Sequence, residues 1–248
     1  MKPLVTICCA TYNHEKFIEK TINKFLAQKT TFQYEIIIHD DASTDSTKEI
    51  LNAYKTLYPD KIKLIIQKEN TLEKTGLYPM LPIIKAASGK YLAWCDGDDY
   101  WCDVNKLQIQ ADFLNANPIF AGCYHQCITH NCKTEKLKPR GAKSDFSQEK
   151  LLEYYLYGSG INMCTQMWRN YYSKETEKYF DGLIGDYMYV TLNGIFGSCK
   201  YLDNIKPSIY RLMHGGNSWS NLSGAEQKIK INLMHEKSNI MLNKRITK

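Results

Sequence analysis

Apolar residues fall in blocks along the first half of the chain, each closed by a polar punctuation. Leu4 to Ala10 (LVTICCA) is a near-continuous apolar run of strand length, the pattern of a strand covered on both faces. Thr11-Tyr-Asn-His14 breaks it. Lys16 to Gln28 then sets Phe17, Ile18, Ile22, Phe25 and Leu26 on one helical face. Tyr34 to His39 (YEIIIH) repeats the strand pattern and ends in Asp40-Asp-Ala-Ser-Thr-Asp45. A helix is predicted over Ser46 to Tyr58, with Asp45 or Ser46 as its N-cap. Ile62 to Gln67 predicts a third strand, Leu81 to Ala87 the end of a helix, and Tyr91 to Cys95 a fourth strand launched by Gly89. Strand and helix alternating at this spacing build right-handed parallel crossovers, whose ligands bind at the carboxyl ends of the strands. The expected fold class is α/β, a mostly parallel central sheet flanked by helices in a single domain.

The third punctuation changes the picture most. Tyr91 to Cys95 delivers Asp96, Asp98 and Asp99, three carboxylates in four residues, with Lys106 the nearest basic residue downstream. Such crowding raises carboxylate pKa values and is relieved most directly by a divalent cation. Capping of the helix predicted over Val104 to Asn115 would explain one Asp but not three. An EF-hand is excluded, because Leu107 stands where that loop needs its closing Glu. Thr11-Tyr12-Asn13, Asp40-Asp41 and Asp96 to Asp99 all end strands, so three loops converge on one edge of the sheet.

Beyond Asn115 the pattern loosens. Phe120 to Ile128 reads as one strand, and Lys133 to Lys143, with five lysines or arginines, Pro139 and Gly141, as a mobile basic loop. A helix is expected around Gln148 to Tyr157, followed by an apolar segment through Trp168. Gly182-Leu-Ile-Gly-Asp186 opens a helix over Tyr187 to Ile195, Pro207 to Met213 is a last strand, and His214 to Ser218 a Gly-rich loop. Ala225 to Lys248 reads as a basic helix whose apolar face is interrupted by Lys230, Lys237 and Lys244. The expected division is residues 1–224 as one domain, with 1–115 and 116–224 as its halves, and 225–248 as a tail.

Composition narrows the classes. With 248 residues, 44% hydrophobic and 23% charged, the chain is of ordinary globular composition. A net charge of +6 suits an anionic small molecule or an acidic membrane surface and does not argue for nucleic acid. No run reaches the ~18 apolar residues of a membrane span. Met1-Lys2-Pro3 leads straight into a strand, so no signal peptide is expected and the nine cysteines are expected as reduced thiols in the cytoplasm. The cluster Cys123, His125, Cys127, His130 and Cys132 has the spacing of a strand and lacks the paired Cys-x-x-Cys turns of structural zinc sites.

Val5 to Asn13 (VTICCATYN), the Asp40 to Asp45 loop, and Ala87-Ser-Gly-Lys-Tyr91 running into Asp96-Gly-Asp-Asp99 resemble the nucleotide-sugar-binding half of family-2 glycosyltransferases with the Rossmann-like GT-A fold. The likeness covers about the first 115 residues and continues patchily through Gly185-Asp186 and Tyr210-Arg211 to His214. The resemblance implies that Thr11 and Tyr12 line the base pocket and that Asp41 hydrogen-bonds a uracil-type ring. Asp96, Asp98 and Asp99 then hold Mn²⁺ or Mg²⁺ against the diphosphate and touch the ribose, Asp98 and Asp99 as metal ligands with Asp99 preferred. Asp186 matches the family's catalytic base at a helix start, where the helix end keeps a carboxylate ionised. Arg211 and His214 match a loop that closes over the diphosphate.

The implied activity is metal-dependent, inverting transfer of one sugar from a nucleotide-diphosphate sugar, UDP-linked by preference, to an acceptor hydroxyl in glycan, polysaccharide or lipopolysaccharide biosynthesis. The implied partners are that donor and a carbohydrate or lipid-linked saccharide acceptor, with peripheral contact at the inner face of the membrane left open. Gln166-Met-Trp-Arg169 departs from the Gln-x-x-Arg-Trp signature of processive synthases, since Asn170 replaces Trp. Two rivals remain. A nucleotidyltransferase would carry a Gly-rich phosphate loop after the first strand, where Thr11-Tyr-Asn-His-Glu15 has no Gly. A non-catalytic nucleotide-sugar-binding protein would need no base at Asp186.

Overall fold

The computed structural model describes residues 2–75, 80–154, 160–177 and 185–212. Ten strands and seven helices lie within them: β1 (Val5–Thr11), α1 (Ile18–Leu26), β2 (Tyr34–Asp40), α2 (Thr47–Leu57), β3 (Ile62–Ile66), α3 (Thr71–Thr75), α4 (Met80–Ala86) and β4 (Tyr91–Trp94) make the first half. α5 (Lys106–Ala116), β5 (Phe120–His125), β6 (Cys127–Asn131), β7 (Leu137–Arg140), α6 (Gln148–Leu152), β8 (Met167–Arg169), α7 (Asp186–Gly194), β9 (Ser198–Leu202) and β10 (Ser208–Leu212) follow.

Seven strands form one sheet in the order β3-β2-β1-β4-β8-β5-β9, and β10-β6-β7 form a second. β1, β2, β3 and β4 are parallel, with Thr11 beside Asp40 at the carboxyl edge. Every residue of β1 and β2 is buried, as their unbroken apolar runs require. One face packs on α1 and α5 through Ile18, Ile22, Phe25, Leu107 and Leu114. The other packs on α4, α6 and α7 through Ile83, Ile84, Leu151, Tyr189 and Leu192.

The second half departs from the strand pattern expected of it. Phe120 to Ile128 is two strands: the chain leaves the large sheet at Gln126, whose side chain accompanies the crossing by donating to the Cys127 and Arg140 carbonyls at 2.9 and 2.7 Å. The basic segment is not a mobile loop. Leu137–Arg140 pairs antiparallel with β6, register Cys127 with Arg140 and His130 with Leu137, so its backbone groups are ordered although its side chains are exposed. β9, absent from the expected elements, pairs parallel with β5. β8 enters antiparallel between β4 and β5. There Trp168 lies flat against Gly122, whose missing side chain is required: a Cβ would sit 2.3 Å from the indole.

Among the described residues no helix is long and apolar enough to cross a membrane. The expected basic helix over 225–248 lies outside them.

Candidate active site

Backbone hydrogen bonds weld the three polar strand ends together. Asp41 N–H donates to the Thr11 carbonyl at 3.0 Å, and Gly97 N–H to that of Ala10 at 2.8 Å. Asn13, at φ +55°, accepts from Thr44 N–H at 2.8 Å, so the first loop also holds the second. Thr11 is buried, its hydroxyl 3.1 Å from His14 Nδ1, and it packs so closely on Gly97 that a Cβ there would lie 2.6 Å from its Oγ1. Tyr12 is half-buried beside it.

The acid loop is held from below by α1 and from the side by β10. Thr21 Oγ1 lies 2.6 Å from the Asp99 carbonyl and 3.0 Å from that of Gly97. Asp99 is buried, and its Oδ1 accepts from Arg211 N–H at 2.9 Å. Its Oδ2 has no hydrogen-bond partner. Burial first, then the charges of Asp98 and Asp96, pushes the Asp99 carboxyl well above the usual carboxylate range. Asp98 is more open, one-fifth exposed, with Oδ2 3.8 Å from His14 Nε2. Asp96 is half-buried.

An orphaned buried carboxylate oxygen among three acids is the donor chemistry of a hard divalent cation, and these residues fit one. Among the described residues, however, no group of three or more His, Cys, Asp or Glu side chains is drawn together closely enough to hold a metal. His14 was not singled out by its sequence; its placement at the end of β1 is the only signal it carries.

Two expected ligand contacts are occupied by the protein itself. Asp41 is buried and caps α3: Oδ1 accepts from Thr71 N–H at 2.8 Å and Oδ2 from Leu72 N–H at 3.0 Å. At α2 the side-chain acceptor is Asp45, whose Oδ1 takes Thr47 N–H at 3.0 Å, and Ser46 makes no side-chain cap bond, so capping by Asp45 does not spare Asp41 from capping α3. Arg211 is also buried: its guanidinium donates to the Asp98 carbonyl and lies 4.6 Å and 5.0 Å from the Tyr100 and Phe17 rings. It props the acid loop. His214 lies outside the described residues.

Asp186 opens α7 after Gly185, whose φ of +120° only glycine adopts without strain. Its Oδ1 accepts from Tyr187 N–H at 2.9 Å. The helix start was expected to keep this carboxylate ionised; instead burial pushes its pKa up, opposed by the backbone N–H groups and by the charge of Arg140. Burial outweighs a helix only nine residues long.

Tyr210 joins the two halves of the site. Burial, then the carboxylates of Asp99, Asp98 and Asp186, pushes its phenol up while Arg140 pulls it down. The acid loop and Asp186 thus both lie within electrostatic reach of this phenol. Arg140 lies 4.8 Å from that ring and donates to Asn162 Oδ1 at 2.6 Å. Sequence reasoning gave neither a role: Arg140 is a lone Arg in a basic stretch, and Tyr210 entered only as part of the patchy likeness at Tyr210-Arg211.

The Cys and His cluster is divided between sheets. Cys123 and His125 lie on β5, Cys127 and His130 on β6, and Cys127 Sγ faces Cys164 Sγ at 3.9 Å.

A family model for glycosyl transferase family 2 matches residues 6–175, and the chain belongs to that family. An uncharacterized Mycobacterium tuberculosis protein is 35% identical over 152 residues, 60% of this chain and 43% of the relative. The Escherichia coli UDP-Glc:alpha-D-GlcNAc-diphosphoundecaprenol beta-1,3-glucosyltransferase WfaP is 36% identical over 117 residues, covering 47% of this chain and 43% of its own length. The chain thus spans under half the length of these relatives. The crystal structure of S. aureus TarS 1-349 in complex with UDP-GlcNAc superposes with a TM-score of 0.65 at 19% identity, covering 94% of this chain and 65% of that one. The fold is GT-A.

Proposed function

We infer that the protein transfers a single sugar from a nucleotide-diphosphate sugar, UDP-linked, to an acceptor hydroxyl in cell-surface polysaccharide or glycolipid synthesis. The observation that carries this is the shared strand edge, where hydrogen bonds join the Thr11, Asp41 and Gly97 loops and buried Asp99 keeps one carboxylate oxygen without a partner. The UDP-GlcNAc held by TarS and the UDP-glucose and lipid-diphosphate chemistry in the name of WfaP support donor and acceptor class.

Asp98 and Asp99, with Asp96 alongside, would hold Mn²⁺ or Mg²⁺, which supplies positive charge against the departing diphosphate. Thr11 and Tyr12 flank the base, and Asp41 offers it an acceptor once α3 shares or yields its cap. Asp186 takes the proton of the attacking hydroxyl from the face opposite the leaving group, so the anomeric configuration inverts. Its raised pKa suits a base better than an ordinary carboxylate does, because proton affinity rises with pKa. The charge of Arg140 opposes the effect of burial on the Asp186 carboxyl. The cytoplasmic side of a membrane, where nucleotide sugars are handled, is the proposed location.

A thermal-shift panel of UDP, GDP and their sugars, with and without Mn²⁺, tests the donor. Stabilisation follows the logarithm of ligand concentration over Kd, so UDP ligands should stand out and Mn²⁺ should deepen the shift. Equal shifts across nucleotides, or none, would reject the donor assignment. Product configuration by NMR tests the single displacement.

A further inference from the structure

Strand β7 carries Lys138 and Arg140 on the face it shares with Tyr210. The registers Cys127 to Arg140, Thr129 to Lys138 and Thr129 to Tyr210 put all of them on one side of the small sheet. Lys136 continues the row: its carbonyl accepts from Asn131 N–H at 3.0 Å, the next rung of the ladder. Residues two apart on a strand repeat roughly every 6.8 Å, so the three cations span about 14 Å. The inner end is fixed at the active site, since Arg140 rests on Tyr210, is pinned by Asn162 and acts electrostatically on Asp186. The outer end is open: β7 is fully exposed, and neither Lys136 nor Lys138 makes an ion pair among the described residues.

An edge strand often carries lysines simply to discourage pairing with other chains. That purpose is served by charge on either face, and Pro139 already removes an N–H from this edge. Here Lys136, Lys138 and Arg140 all lie on the face that carries Tyr210, while Leu137 and Pro139 take the other with Arg211. A lone diphosphate would engage one or two such residues; a row at strand spacing fits anions that recur along a chain.

We propose that Lys136, Lys138 and Arg140 form an acceptor track for a polyanionic glycan or polyol chain, with a phosphate or carboxylate at each repeat, leading its terminal hydroxyl to Asp186. This rests on the transferase reading above and names its acceptor class.

The test measures binding of labelled probes to the whole chain without donor: a synthetic hexamer of glycerol phosphate, an oligogalacturonate, a neutral oligosaccharide, and vesicles containing phosphatidylglycerol. Lys136→Gln/Lys138→Gln should weaken one of the polyanions at least tenfold and flatten its log-log salt dependence by about 1–2. Whichever polyanion binds the parent identifies phosphate or carboxylate. UDP binding by calorimetry and hydrolysis of UDP-sugar by water should be unchanged. Equal affinity of variant and parent for both polyanions overturns the proposal, as does an equal loss for the neutral probe. So does a loss confined to vesicles, which would make β7 a membrane contact. Absence of donor turnover in the parent would reject the transferase reading, while the binding arm still decides whether the track exists. Lys136→Glu/Lys138→Glu, expected to bind weaker still, checks that charge is the cause.

Discussion

The two halves of the site are built on different principles. In the first, each functional loop is the end of a buried parallel strand, and neighbouring ends are bonded to one another: Asp41 to Thr11, Gly97 to Ala10. In the second, the residues come from elements that do not adjoin in sequence. Arg140 ends an edge strand, Tyr210 lies in a strand paired at long range, and Asp186 starts a helix. The first half of the site is thus positioned by local connectivity and the second by packing. Changes in the first should act through loop geometry and stability, and changes in the second through charge.

The largest expected effect falls in the second half. Asp186→Asn keeps the acceptor for Tyr187 N–H but removes the basicity, so turnover should fall by roughly 10²–10⁴ with UDP affinity unmoved. The parent's kcat/KM should decline as pH falls through the raised pKa of Asp186, an acid limb above the ordinary carboxylate range. The variant should lack that limb. A carboxyl whose folded pKa exceeds its unfolded value costs stability at neutral pH, so the Asn variant should be no less stable there. Steady-state transfer across pH decides it, and near-parental turnover would remove Asp186 from the mechanism.

Lys106 lies where the halves meet. It is fully buried at the start of α5, donates to Gln110 Oε1 at 2.6 Å and sits 4.2 Å over the Trp101 ring. Burial lowers its pKa from 10.5 to about 8, with nearby Cys123, Cys95 and Cys164 opposing. Between those pH values the unfolded chain binds a proton that the folded protein does not, so the share of stability due to Lys106 rises with pH. Buried thiols such as Cys8, Cys95 and Cys199, whose pKa values burial pushes up, act in the opposite sense over the same window. The Lys106 share is of order 3 kcal/mol and is read as the difference between parent and Lys106→Met in denaturant unfolding at pH 7.5 and 10. The variant should lose more stability on going to pH 10, and identical slopes would mean that Lys106 finds an anion in the fold.

What the sequence made legible follows the same division. The first four strands, their helices and the three polar loops are readable because parallel strands are continuous apolar runs, and because loops at their ends must be polar. The resemblance to family-2 enzymes rests on that same stretch, and the family match through residue 175 bears it out. The Ala87-Ser-Gly-Lys-Tyr91 motif turned out to have a structural role away from the site. Ser88 N–H donates to buried Glu35 at 2.7 Å, and Gly89 lies where a Cβ would meet Thr6 N at 2.5 Å. In the second half β5 runs into β6 without a turn signal, because Cys123, His125 and Cys127 keep one alternation while the chain changes sheets. β7 is fully exposed, so no apolar face marks it, and a charged Pro-containing segment reads as loop. Arg140 and Tyr210 meet only through long-range pairing, which periodicity cannot show.

Asp41 sharpens the contrast from the first half. Its two oxygens cap α3, so Asp41→Ala should cost about 1–2 kcal/mol of stability. It should weaken UDP by about 1–3 kcal/mol if the same carboxylate also meets the base. Asp41→Asn separates the roles, because its single acceptor oxygen can serve either the helix or the ring. Calorimetry with UDP and thermal unfolding on both variants read the two effects. Lost stability with unchanged UDP affinity would leave Asp41 a capping residue alone.

The smallest effect lies in that same loop and concerns backbone alone. Ala42 sits at φ +65°, the left-handed region where a Cβ crowds the following carbonyl, at a cost of roughly 1–2 kcal/mol relative to glycine. The conformation is imposed from both sides. Asp41 N–H is bound to Thr11, and Ser43 N–H donates to Asp40 Oδ2 at 3.1 Å, so the turn cannot relax without breaking one of them. Ala42→Gly relieves the strain but adds freedom to the unfolded chain worth about 0.4–1 kcal/mol. The net should be a gain of about 0.5 kcal/mol in denaturant unfolding, with UDP affinity held or slightly improved. A loss of stability would show that the loop is not held in the left-handed turn. Unchanged stability with weaker UDP binding would show that the alanine methyl, rather than the turn, serves the base pocket.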